Sequence, residues 1–127
     1  MVIDKSKFVK KAGDYMIAQT DGIADPVLLG TAAKYEEDFS ASFRGLAPKD
    51  ISARYGGVKR VHWSLKYDGE GALVFYDEKL GAIAFSAPSG RARLGMKALE
   101  EAAAALKKSD VKKALLRGEI YLSLIHI

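Results

Sequence analysis

Cysteine is absent, so disulfides and thiolate metal sites are excluded, and with only His62 and His126 a histidine zinc site would need carboxylate help. Metal chemistry through histidine is therefore set aside. Nowhere do eighteen apolar residues follow one another, and the start of the chain, with Lys5, Lys7, Lys10 and Lys11, holds no apolar run of signal-peptide length. Neither a membrane span nor a secretory leader is expected, and the default location is the cytoplasm. Repeats and low-complexity tracts are missing too, apart from an alanine run at residues 102–105.

What is present suits one soluble globular domain with a single core: 127 residues, 49% hydrophobic and 28% charged. The formal charge of +4 fits a polyanionic partner, because each Lys or Arg set against a phosphate releases a counterion.

Residues 1–57 show no sustained period. Phe8, Ala12, Tyr15 and Met16 would line one face of a helix, whereas Gly13-Asp14 between them reads as a turn. Asp25-Pro26 breaks whatever precedes it. Pro48 suits the first turn of a short helix that Gly56-Gly57 ends. From Val58 the pattern sharpens. Val61, Trp63 and Leu65 alternate with His62, Ser64 and Lys66, the period of a strand that buries Leu65 and turns Lys66 the other way. Residues 72–76 and 82–85 predict two strands of a hairpin joined through 77–81, and Pro88-Ser89-Gly90 ends it. Residues 96–108 predict the strongest helix, with Glu100-Glu101 ahead of Lys107-Lys108 in the order its dipole favours. Residues 114–121 predict a strand interrupted by Arg117-Gly118-Glu119. Trp63 and Phe75 are expected in the core.

Lys66-Tyr67-Asp68-Gly69 resembles the K-x-D-G motif of covalent nucleotidyltransferases: DNA ligases, RNA ligases and mRNA capping enzymes. KYDG is the form common in ATP-dependent DNA ligases. The order that follows is also similar: a hairpin, the Ser89-Gly90-Arg91 element, a helix, and Arg117-Gly118-Glu119 in place of a D-G-E element. The resemblance covers about residues 58–121. It implies an α+β adenylation domain of nucleotidyltransferase (ATP-grasp-like) fold, an antiparallel sheet with helices outside, of which 1–57 is the N-terminal segment, without an assigned role, and 58–121 a partial core that carries the nucleophile motif.

The resemblance also implies roles. Lys66 would be the catalytic lysine that takes up AMP from ATP with Mg²⁺ as cofactor. A lysine attacks only when neutral, so its site must favour the free amine. Ser64 and the Leu65 main chain would contact the adenine, Asp68-Gly69 would form the nucleotide-side turn, Glu119 would lie near the ribose, and Arg91 would meet a phosphate or the ribose side, with Arg93 as the alternative. Asp68-Gly69 also reads simply as a turn, Glu119 as a surface carboxylate, and His62 as a solvated histidine. The expected activity is sealing of nicks in duplex DNA by a monomeric repair ligase, with no membrane partner.

Two departures bear on that expectation. Gly71 stands where DNA ligases usually carry arginine, and Arg117 where the later element usually begins with Asp. The first leaves room for an RNA ligase; a basic nucleic-acid-binding module without catalysis is the rival outside the enzymes. The later E-G and K-x-K elements are missing. Residues 122–127, Leu-Ser-Leu-Ile-His-Ile, match the translation of a transposase sequencing adapter, so they are expected to be non-native, the domain truncated, and the chain as it stands inactive.

Overall fold

The computed structural model describes residues 1–121 except 12, 14, 44, 63, 64, 66, 67, 88 and 89. The expectations for Ala12, Asp14, Trp63, Ser64, Lys66, Tyr67, Pro88 and Ser89, and for the tail at 122–127, lie outside the described residues.

Chain chemistry sets the element order. Asp4 caps a single 3-10 turn, Lys5–Lys7, by accepting from the Ser6 amide, and that hydroxyl and amide hold its carboxyl below the usual range. Strands β1 (Val9–Lys10) and β2 (Met16–Gln19) pair antiparallel about Gly13, whose φ of +112° a side chain would strain. The turn reading of Gly13-Asp14 therefore holds at Gly13, and the helical one does not. Asp25 begins an element as well as ending one: its carboxylate accepts from the amides of Val27 and Leu28, each at 3.0 Å, and Pro26 opens helix α1 (Pro26–Ser42). Helix α2 (Pro48–Tyr55) runs as expected to Gly56, whose amide bonds the Ser52 carbonyl.

The hairpin of β3 (Glu70–Asp77) and β4 (Gly81–Phe85) forms as expected. Strand β5 (Arg91–Leu94), helix α3 (Lys97–Lys108) and strand β6 (Lys113–Ile120) follow. The protein is thus α+β, and the six strands among the described residues make one antiparallel sheet in the order β1-β2-β5-β4-β3-β6. Because β2 pairs with β5, residues from both sides of position 57 share that sheet. Among the described residues no helix is long and apolar enough to cross a membrane.

Alternation along the strands gives the sheet two apolar faces. On the α1 side Leu73, Phe75, Ile83, Phe85 and Ala92 pack with Leu28 and Ala32. On the α3 side Ala72 and Ala84 pack with Leu99. Phe75 is a core residue, as expected, at 4% exposure.

Two expectations are corrected. Arg117-Gly118-Glu119 does not interrupt a strand: β6 pairs with β3 without a break from Lys113↔Asp77 to Ile120↔Glu70, because Gly118 faces Ala72 across the ladder and the small pair keeps the pleat regular. The strand over 61–66 is not formed at its described positions. Val61, His62 and Leu65 belong to no strand, and Leu65 is 81% exposed rather than buried. Both sides of β3 are already taken by β4 and β6, so the segment that leads into it meets no open edge alongside.

Candidate functional site

The site is built where the head of β3 meets the end of β6. Asp68 and Gly69 lead directly into β3, and a side chain on Gly69 would stand 2.6 Å from the Ile120 carbonyl oxygen, so glycine is required for this approach. Two residues on, Gly71 lies opposite Glu119 in the ladder. The turn of the K-x-D-G motif and the acid expected near the ribose, fifty positions apart in sequence, therefore share one end of two neighbouring strands. Asp68 and Glu119 are both exposed there.

Arg91 is not gathered with Glu119. It opens β5, is exposed, and pairs in register with Gln19. Alternation sets it and Arg93 on the α3 side, since Ala92 between them belongs to the core under α1. Glu119 shares the α1 side with Arg117.

Two arginines, neither assigned a firm role from the sequence, anchor the site. On the α3 side Arg93 is 6% exposed; its Nη2 donates to Glu70 Oε2 at 2.6 Å, and its buried Nη1 has no hydrogen-bond partner among the described residues. Glu70 immediately follows the motif glycine, so this pair fastens the head of β3 to β5 across β4. On the α1 side Arg117 donates through Nε to Glu36 of α1 at 3.1 Å, and its guanidinium lies 4.0 Å from the centre of the Phe39 ring. Its Nη2 occupies space beside the bare Cα of Gly71, 3.4 Å from where a Cβ would be.

Clefts open on both sides. Phe39, Ser40, Phe43, Arg117 and Glu119 line one of about 270 Å³ on the α1 side. A larger one of about 570 Å³ on the α3 side is walled mainly by Val74, Met96, Leu99, Ala102 and Ile120, a mostly aliphatic lining. No three of His, Asp and Glu converge in a metal-holding group among the described residues. Two further sequence signals bear on the site: Glu70, a charge at a strand head, and the Tyr35, Phe39, Phe43 spacing, a four-residue period that runs along α1 to the extended residue just after it. No protein-family model, no curated protein and no solved structure matches this chain, so the reading of its function rests on these residues.

Proposed function

We propose that the protein is a covalent nucleotidyltransferase of the polynucleotide-ligase type, with Lys66 as the nucleophile. The observation that carries this reading is the meeting of Asp68-Gly69 with the Glu119 end of β6, two motif-like elements that only the β3–β6 ladder brings together. The α+β antiparallel architecture and the hairpin, helix, strand order are compatible with it. The finer fold assignment, to an adenylation domain, belongs to the same proposal.

In this reaction the neutral Lys66 amine attacks the α-phosphorus of ATP. An N–P bond forms, the bond from the α-phosphorus to the bridging oxygen breaks, pyrophosphate leaves, and the amine proton passes to water. Mg²⁺ bound with the triphosphate would supply charge neutralisation on the leaving oxygens. A 5′-phosphate oxygen next takes the AMP from Lys66, breaking the N–P bond, and a 3′-hydroxyl then displaces AMP to seal the strand. Gly69 gives the main chain its close approach, and Glu119 orients the ribose.

Protein expressed from the complete gene, given Mg²⁺ and α-labelled ATP, is expected to become labelled on Lys66, with the label removed by pyrophosphate. Lys66→Ala and Lys66→Arg both abolish labelling, the second because guanidinium stays protonated. Glu119→Ala slows the step on the order of a hundredfold. Normal labelling of a folded Lys66→Ala protein overturns the assignment. Gly71 favours nicked RNA as the second candidate substrate, and sealing of nicked DNA set beside nicked RNA decides between them.

A further inference from the structure

The cleft between α1 and the end of β6 carries a recognition chemistry of its own. Phe43, 65% exposed, packs at 4.5 Å between ring centroids against Phe39, and Phe39 in turn supports the Arg117 guanidinium. The Phe43 ring, tilted by 53° to that of Phe39, and the Arg117 guanidinium therefore stand against the same ring. A guanidinium that Glu36 fixes and a phenyl ring supports loses little freedom when a further ring stacks beside it. Glu36 already pairs with the cation and Glu119 lines the same cleft, so two carboxylates offset its charge, which argues against a bare phosphate as the occupant and for a neutral ring. The volume, about 270 Å³, sits near the roughly 300 Å³ lower end of small-molecule sites and suits a single base rather than a whole nucleoside triphosphate. The cleft also borders the motif: Arg117 lies over Gly71, two residues past Gly69.

From this arrangement we infer that the purine ring of the nucleotide is seated in the Phe43–Arg117 cleft, on the α1 side of the sheet, with Phe43 and Arg117 as its stacking residues. This rests on the nucleotidyltransferase reading for the choice of an adenine nucleotide. It adds two contact residues, one of them in the segment before the resemblance begins, and it explains Gly71, since a large side chain there would evict the guanidinium. Glu36 is a positioning residue that acts through Arg117.

The test is AMP binding to the 127-residue chain, followed by isothermal titration and by saturation transfer to the adenine ring protons. Phe43→Ala and Arg117→Met are expected to weaken AMP roughly tenfold each, in line with the loss of one stacking partner. Gly71→Leu, which crowds the guanidinium without removing it, weakens AMP in the same direction. Tyr35→Ala, at the far end of the aromatic row, leaves binding unchanged. Matching thermal melts show that the variants fold; Phe43 is exposed enough that its truncation removes no core. Ribose 5-phosphate binding as tightly as AMP, unchanged AMP affinity in Phe43→Ala and Arg117→Met, or no AMP binding at all would each overturn the inference. Labelling of Lys66 alongside unchanged AMP affinity in the variants sinks this cleft and leaves the ligase reading standing. AMP held in the cleft of this chain, while protein from the complete gene takes up no label on Lys66, does the reverse.

Discussion

The two faces of the sheet treat an arginine in opposite ways. On the α3 side Arg93 is closed in, with a side chain 7% exposed whose carboxylate partner, Glu70, is half in water. On the α1 side Arg117 and Glu36 are each about one quarter exposed, and the guanidinium faces an open cleft. Burial thus separates two jobs that composition cannot. A closed ion pair can tie strands together, whereas an open one keeps donors and a flat surface in reach of a ligand.

The contrast is broken most severely by Glu70→Ala. That change strands the buried Arg93 cation, whose Nη1 is already without a partner among the described residues, and is expected to cost about 3 kcal/mol of unfolding free energy in urea. Arg93→Met is the sharper companion. It leaves only the half-exposed Glu70 behind and fills the space with an apolar chain, so the loss should be about 1 kcal/mol or less. Equal losses in the two variants would show that burial does not set the asymmetry. Across the sheet, Glu36→Gln should cost about 0.5 kcal/mol, since the pair is partly exposed, while still loosening Arg117 from Phe39.

The smallest effect belongs to an exposed cation at the turn before β6. Lys112 is held above its ordinary value by its bonds to Asp110 and Glu78. A raised folded value contributes stability below the unfolded value, and this is lost as pH climbs through the folded one. Melting curves of native protein and Lys112→Met should therefore differ slightly at neutral pH and converge above about pH 10.5. A gap that widened with pH would reverse the sign.

Legibility in the sequence followed locality. The β3–β4 hairpin, α2 and α3 were readable because short-range pattern and breakers decide them. Helix α1 was not, although its cap was in plain view at Asp25-Pro26: it buries only Leu28 and Ala32 fully and carries Gly30 inside, so no apolar stripe announces it. Strands β2 and β5 are four residues each and owe their pairing to one another across the chain. The expected strand at 61–66 failed at Val61 and Leu65 for the converse reason, a good pattern that leads into a strand, β3, whose two sides are already paired. In the site, Gly69 and Glu119 were legible as motif positions, while Arg93, Arg117 and Phe43 take their meaning from neighbours distant in sequence.

The sheet order also dictates a sequence of events in time. β3, β4 and β5 succeed one another through short connections, and β6 closes on β3 after one helix, but β2 must find β5 across more than seventy residues, Met16 against Leu94. The entropy of closing so long a loop has to be met before that pairing is rewarded. The first hairpin is therefore expected to dock last and release first, its amides exchanging with solvent sooner than those of β3 and β4. Thr20, whose hydroxyl reaches the Ser86 carbonyl at 3.0 Å, would be the latch that marks completion of folding.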